Sequence, residues 1–462
     1  MADLLAILSG AQSSLAAQTA LTATASHNIG NADNPDYARQ IASLEAVVPA
    51  DQVGGAFVGR GAVLAGVTQA RDRFLEARIP RALGDGARSA AESDALQSLH
   101  ALDPDATGGL SGAISAFYAG LRALAQNPGD AGLRAAALGQ ATAMTQAFRR
   151  TAQQVDDART GLDGQARALA DQVGVEAGAV AALNAQIREA RAAGGSPNDL
   201  LDLRQKHLDQ LATLAGATFV ETSQGDVDVS LGGTALVAGS HAGALRTQPD
   251  PADGGHVRVL VDVPGGAAGV VLGNGALGGS LGGTLGARDG ALAMVADRVD
   301  RLAHDLAGAL DAAHGYDAAT GTGQPLFTPH GAVAGSASAL SLAISDPSQL
   351  APPADPTAPG DPTTALAMVA TESATVAGGA GVQAALSSLV SDFGAAAANA
   401  KAFSEQDGAI RDQLLQMRSS YSGVSIDEEM IAMQKAQRGY EAIARVIQTS
   451  NEMLQTLLQL VS

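Results

Sequence analysis

Two stretches of this 462-residue chain carry spacings that can do chemistry. Gly278-Gly279-Ser280-Leu281-Gly282 fits the elbow that exposes a nucleophilic serine. Gly273-Asn274-Gly275-Ala276-Leu277-Gly278 fits the dinucleotide fingerprint and follows a strand candidate at Val270 to Leu272. Either reading needs a helix next, yet Gly279-Ser280-Leu281-Gly282-Gly283 continues the glycine run, which predicts a hairpin or loop. A serine nucleophile also needs a His and an acid, and a glycine-rich run produces such a match by chance. None of the three lysines, Lys206, Lys401 and Lys435, follows a Gly, so no phosphate-binding Walker loop is present. The eight histidines are scattered, with no pair at the four-residue spacing of a helical zinc site. With no cysteine, thiolate catalysis and Cys-ligated metals are impossible. No catalytic residue, cofactor or metal ligand is assigned.

Composition narrows the class further. A net charge of −19 and a pI near 4.7 exclude a nucleic-acid or anionic-membrane partner, since phosphate affinity needs concentrated Lys and Arg. Apolar residues make up 46% of the chain, but aromatics only 3%, so cores must be thin and built of small side chains packed closely. The first basic residue is Arg39, which argues against a cleaved signal peptide. From Leu4 to Ala32 there is no formal charge, but Ser, Gln and Thr interrupt the stretch too often for a bilayer span.

Residues with no chemistry of their own instead repeat at helical spacing. Leu4, Leu8, Ala11, Leu15, Gln18, Thr22, Ala25 and Ile29 alternate steps of four and three, a narrow apolar seam that ends in the turn-forming Asn31 to Pro35. An extended, Gly-rich, irregular region is expected to about residue 85. Gln140 to Arg191 contains no proline and reads as one long helix, followed by a turn at Gly194-Gly195-Ser196-Pro197 and a shorter helix through Leu211. Period-two alternation at Val227 to Leu231 and Val257 to Val263 predicts strands. Helical spacing returns at Leu292 to Leu306, then loops over 315 to 365 hold a short strand candidate at Leu340 to Ile344. Helices are expected over about 381 to 418 and from Ser425 to the last residue. Ser425-Ile426-Asp427-Glu428 matches a capping box, and Asp427, Glu428 and Glu429 suit the positive end of a helix rather than a metal. Met430, Met433, Gln437, Tyr440, Ala444, Ile447, Asn451, Leu454, Leu458 and Val461 continue the four-three alternation, with polar Gln437 and Asn451 setting register.

Both ends are thus narrow-seamed helices without a local partner. Pairing them with each other buries little, and a marginal helix is mostly unfolded alone. The expectation is ends that are largely disordered in the monomer and become helical when many copies pack.

At these positions the chain resembles the bacterial flagellar axial proteins. Ser26-His27-Asn28-Ile29-Gly30-Asn31-Ala32-Asp33-Asn34-Pro35-Asp36-Tyr37 is similar to the N-terminal signature of that group, with Asp36 where Gly is usual. Ser422-Gly423-Val424-Ser425-Ile426-Asp427-Glu428-Glu429-Met430, then Gln437, Tyr440, Ala444, Arg445 and Val446, resembles the hook-associated protein 1 family in particular. So do Leu183-Asn184-Ala185-Gln186-Ile187 and Asn198-Asp199-Leu200-Leu201-Asp202-Leu203-Arg204. The resemblance implies a secreted structural protein of the hook-filament junction that leaves through the flagellar export channel. It also implies contacts with hook protein, with a second junction protein and, before export, with a cytosolic chaperone at the C-terminal helix.

The expected fold is mainly α: a discontinuous long-helix coiled-coil bundle formed by both chain ends, with a β-rich inserted outer domain. Its parts are 1–35 with 425–462 as the inner tube, 36–215 with 286–424 as a helical bundle, and 216–285 as the outer insertion. Assembly is assigned to Leu4, Leu8, Leu15, Ile29, Met430, Met433, Tyr440, Ile447, Asn451, Leu454 and Leu458, with Asn28, Asn31 and Tyr37 shaping the turn. Rival readings are a hook, rod or filament subunit, a secreted hydrolase using Ser280, and a membrane-inserting coiled-coil effector.

Overall fold

The computed structural model describes residues 2–47, 52–53, 56–57, 61–98, 109–328, 331–355, 357–373, 376, 379 and 381–461. Helix α1 (Ala2–Gly30) stops where Asn31 turns back on it, the Asn31 amide and Nδ2 both donating to the carbonyl of His27 at 3.2 and 3.0 Å. The chain then makes β1 (Gln40–Ala46), the short pair β2 (Gln52–Val53) and β3 (Ala56–Phe57), and β4 (Ala62–Gln69). β1 and β4 pair antiparallel, Gln40 opposite Gln69 and Ala46 opposite Ala62, as a ribbon lying along α1. Gly61 at its far end, with φ of 88°, has no room for a Cβ, which would stand 2.4 Å from the carbonyl oxygen of Gly10.

Within the region expected to be irregular to residue 85, the described residues form this ribbon, and a helix, α2 (Arg73–Gln97), begins inside it. The Asp72 carboxylate starts that helix by accepting from the amides of Phe74 and Leu75 at 2.8 and 3.2 Å. Pro80 lies within α2 and is buried. After α3 (Leu110–Gln126) comes α4 (Ala131–Ala192), which starts nine residues before the sequence suggested because Asp130 caps it in the same way. At 62 residues it runs about 90 Å. No single core could hold such a rod; two do. Its first half joins Phe117, Tyr118, Leu302, Phe327 and Leu389 in the larger core. Its second half, through Ala166, Val173, Ala177 and Val180, joins α5 (Asn198–Ala215) and the strands.

Those strands are β5 (Thr218–Glu221), β6 (Val227–Leu231), β7 (Thr234–Ala238) and β8 (His241–Ala242) in one antiparallel sheet, ordered β5-β6-β7-β8. A second sheet has β10 (Val257–Asp262) between β9 (Ala244–Pro249) and β11 (Val270–Leu272). The alternation read from the sequence is the burial pattern found: Val227, Val229, Leu231, Val257, Val259 and Val261 all point into the core.

The glycine run that predicted a loop is instead helix α6 (Gly279–Ala287), continued by a π-helical turn (Arg288–Leu292) into α7 (Ala293–His314). Packing explains it. A Cβ at Gly283 would lie 2.1 Å from the carbonyl oxygen of Arg88 on α2, so only glycine lets the two helices approach so closely. Past α8 (Ser336–Ala339), the strand candidate at Leu340 to Ile344 reduces to one bridge between Phe327 and Leu342. α9 (Thr363–Ala370), α10 (Val382–Ser422) and α11 (Ile426–Val461) complete the chain. α11 lies along α1 and runs antiparallel to it: Arg39, just past the end of α1, meets the start of α11, while Gly439 faces Gln18.

Candidate functional site

Three of the stretches singled out in the sequence, 26–37, 198–204 and 422–430, converge on one joint. Asn28 is its buried hinge-pin, 1% exposed. Its Oδ1 accepts from the Tyr37 hydroxyl at 2.7 Å and from the Gln40 amide at 2.9 Å, while its Nδ2 donates to the Gln40 carbonyl at 2.9 Å. The end of α1, the turn and the first residue of β1 are thereby one unit. Burial, with Asp199, Asp202 and Glu429 nearby, pushes the Tyr37 phenol far above its usual range, so the hydroxyl keeps its proton and donates the hydrogen bond to Asn28. The Tyr37 ring also meets that of His27 edge-on at 5.5 Å, and His27 Nε2 lies 3.2 Å from Asp199. Asp36, standing where the resembling family has Gly, is not left-handed, Ala351 being the one non-glycine with positive φ among the described residues. Instead its carboxylate pairs with Lys206 at 3.0 Å.

Asp202 on α5 ties this unit to the body. It accepts from Arg71 at 2.5 Å, from Gln69 at 2.8 Å and from the Ala38 amide at 3.3 Å. Burial raises its pKa despite Arg71 beside it. Asn198 and Asp199 reach the ribbon: Asn198 Nδ2 donates to the Val67 carbonyl at 3.0 Å and Gln40 Nε2 to Asp199 at 2.9 Å. The C-terminal side is fastened by Arg39, whose Nε donates to buried Glu429 at 2.7 Å and whose amide donates to the Ser422 carbonyl at 2.8 Å. Glu428 does not reach back as a capping box requires; it turns to Arg39 at 3.5 Å, and its amide makes only a long 3.5 Å contact with Ser425 Oγ. Arg418 near the end of α10 donates to Asp209 on α5 at 2.7 Å. Between the turn, α2, α5 and α10 a cleft of about 300 Å³ remains, with Tyr37, Glu76, Lys206 and Arg418 on its wall. Desolvation raises the Glu76 carboxyl, whose buried Oε2 has no hydrogen-bond partner. Gln69, Arg71, Asp209 and Arg418 escaped the sequence reading; they lie on β4, on the loop before α2, on α5 and on α10, and only the fold gathers them.

The long seams are partly closed. On α1, Ala17 and Ala25 are buried, Leu8, Leu15, Ile29 and Asn31 are half-buried, and the side chain of Leu4 lies outside the described residues. On α11, Glu429, Ala436 and Ser450 are buried, with Met433, Ile447 and Leu454 half-buried. Met430, Gln437, Tyr440, Asn451 and Leu458 of the same repeat are exposed, Tyr440 at 44% and Leu458 at 62%. The face against α1 is thus rotated by about 60° from the centre of the repeat read from sequence. α1 covers one edge of that repeat and leaves the other bare. Gln437 and Asn451 accordingly stand in water in the single chain rather than inside a closed seam.

Ser280 sits within α6, where its carbonyl accepts from Thr284 Oγ1 at 2.8 Å. Among the described residues no group of three or more His, Asp or Glu could hold a metal, and no helix is long and apolar enough to cross a membrane.

Long helices, with the terminal pair rooted in one polar joint and carrying a bare apolar edge, have the build of a structural protein. Comparison with known proteins names its family. The helical domain of flagellar hook-associated protein FlgK matches residues 96–327, half of the chain, and the C-terminal domain of flagellar basal body rod FlgEFG proteins matches 415–460. Flagellar hook-associated protein 1 of Escherichia coli is 26% identical over 98% of this chain and 99% of its own length. Its counterpart in Salmonella typhimurium is 28% identical over 70% of this chain and 59% of its own. The solved flagellar hook junction protein FlgK of Burkholderia pseudomallei shares the fold with a TM-score of 0.64, at 18% identity, over 75% of this chain and all of that one. The chain belongs to the flagellar hook-associated protein FlgK family, structural components of the bacterial flagellum at the hook-filament junction.

Proposed function

We propose that the chain is a non-enzymatic adaptor that assembles through its two ends, α1 and α11 ordering fully only when neighbouring copies cover them. The bare edge formed by Met430, Tyr440 and Leu458 carries this reading, since an apolar edge on a long helix calls for another helix. Its partners are further copies of itself in a helical lattice, hook protein on one side and a second junction protein on the other. Before that it leaves the cell unfolded through the flagellar export apparatus, with a chaperone holding the C-terminal helix. In this reading residues 1–35 with 425–462 form the inner tube, 36–215 with 286–424 the surrounding bundle, and 216–285 the outward insertion. Leu8, Leu15, Ile29, Met433, Ile447 and Leu454 pack within a copy, Asn28, Asn31 and Tyr37 set the turn, and Leu4 and Asn451 extend the seam.

Deleting the gene tests the role: hooks without filaments are expected, with filament protein spilled into the medium. Replacing Tyr440 and Leu458 together by Glu tests the mechanism. These exposed changes should leave unfolding of the purified monomer within about 0.5 kcal/mol of the parent, yet abolish filament attachment. Normal motility in that variant would refute assembly through this edge.

A further inference from the structure

At the end of α7 one buried histidine touches two separate loops. His314, the last residue of that helix, is 5% exposed. Its Nδ1 lies 2.9 Å from the carbonyl oxygen of Gln324, and its Nε2 lies 2.9 Å from that of Gln349 in the 3-10 turn Pro347–Gln349. A carbonyl oxygen only accepts, so each contact is a hydrogen bond only when the ring nitrogen carries a proton. A neutral imidazole has one N–H and would set its bare nitrogen against an oxygen, lone pair facing lone pair, in a buried place. Turning the ring over brings Cδ2 and Cε1 to the same oxygens and satisfies neither. The imidazolium satisfies both.

The surroundings suit a positive ring. The last carbonyls of α7 place the negative end of the helix beside it. Asp311, one turn back and buried, accepts from the amides of Leu326 and Phe327 at 2.7 and 3.0 Å. Burial raises the Asp311 carboxyl, against the pull of those two amides and of His314. On the other side of the balance stands Arg134 of α4, which donates to the carbonyls of Leu350 and Ala351 at 2.9 and 3.3 Å, just past Gln349. Asp317, one residue beyond Tyr316, and Asp346 are exposed and turned to the amides of Ala319 and Ser348. On α7 itself His304 and Asp305 contact each other more than two turns back. α8 and α9, which also pack on α7, carry no charged residue. Glu372 pairs with Arg122, and Asp392 of α10 with Arg298 more than four turns from His314.

We propose that His314 is a proton-dependent clasp: as the imidazolium it fastens both the Gln324 loop and the Pro347–Gln349 turn to the end of α7, and on losing a proton it releases one of them. The clasp closes within one copy and stands apart from the assembly reading. A proton that the folded form needs and the unfolded form does not makes stability fall as pH rises, and histidine changes charge near neutrality. The clasp therefore loosens on the alkaline side. What it loosens is the cover of the larger core, since Phe327 and Leu350, both buried there, sit in the two fastened segments.

Amide hydrogen exchange of the full chain, read by mass spectrometry and corrected for the intrinsic rise of exchange with pH, tests the clasp. Between about pH 6 and about pH 9, either side of the ordinary histidine range, peptides from 315–328 or from 346–351 should lose protection by on the order of tenfold, the worth of one hydrogen bond. Peptides covering Val295 to Leu302 of the same helix should keep theirs. In His314→Gln the single side-chain nitrogen cannot reach both carbonyls. There the loops should already exchange faster than the parent's at the lower pH and change no further on raising it. Nitrogen-15 spectra of the parent's ring at the lower pH, assigned by their loss in the variant, should show two protonated nitrogens. Should the variant not fold, the parent's exchange decides alone. Loop protection in the parent that is the same at both pH values, a variant that keeps the parent's pH dependence, or a ring with one bare nitrogen at the lower pH overturns the proposal.

Discussion

Asn28 shows how much one small side chain can hold. Its amide satisfies two backbone groups of Gln40 and the hydroxyl of Tyr37, so its loss strands three polar groups in a buried place. Asn28→Ala should therefore lower the stability of the joint by about 2 kcal/mol, read as a lower urea midpoint with an unchanged slope. Glu76 is the opposite case, a carboxylate that burial disfavours and whose Oε2 lies 3.5 Å from the Arg71 guanidinium without accepting a hydrogen bond. Its folded pKa lies above the unfolded one, so the folded state binds the proton more tightly. Stability is then lost as pH rises from the unfolded to the folded pKa, and the cost stands in full above the folded pKa. Glu76→Gln removes that titration. The variant should be more stable than the parent at pH 7, and the gap should close as pH falls through the ordinary carboxylate range. A gap that widens on acidification would place the cost elsewhere.

Among elements, glycine carries two opposite meanings that a sequence does not separate. Along α4, Gly164 and Gly178 face open space, and in a helix each is worse than Ala by about 1 kcal/mol. In α6, Gly283 lies against the backbone of α2. Gly164→Ala should accordingly raise the unfolding free energy by roughly 0.5–1 kcal/mol, whereas Gly283→Ala should lower it by about 1–3 kcal/mol. Equal effects at both positions would refute close helix contact as the reason for the α6 glycines. The same ambiguity limited what could be read beforehand. Four-three spacing located α1, α4, α7 and α11, and period-two spacing located β6 and β10, because burial on one face leaves a periodic trace. α6 left none, since its approach to α2 selects glycine, which otherwise signals a break. α2 was hidden by Pro80 and by its place among glycines, although Asp72 marks its start. At the joint, motif residues such as Asn28 and Tyr37 stood out locally. Arg71 does not: its pairing with Asp202 joins positions 131 apart in sequence, and nothing in its own neighbourhood announces that partner.

For the whole molecule, the question is where the body ends and the conditional ends begin. Composition alone puts the limits near residue 35 and residue 425, where the seamed helices start. The joint argues for limits farther out. Residues 28–40 are bound to α5 through Asn28, Ala38, Gln40 and their partners, and Glu429 is held by Arg39, so these belong with the body. Beyond them, α1 and α11 bury mostly Ala, Gly and Ser against each other. Such contacts remove little apolar area at about 25 cal/mol per Å², and the helices are marginal without neighbours. Brief digestion of dilute monomer with a protease of broad specificity should therefore cut within residues 8–26 and beyond about residue 431. It should leave a core that keeps Asn28 to Arg39 and Glu429, identified by the masses of the fragments. Cuts at 30–36 would mean the joint is not closed in the free chain, and intact ends would mean that α1 and α11 need no neighbours. Removal of residues 1–26 alone should leave the unfolding midpoint of the remaining chain almost unchanged while abolishing incorporation into flagella, because in this architecture stability resides in the two cores along α4 and attachment resides in the ends.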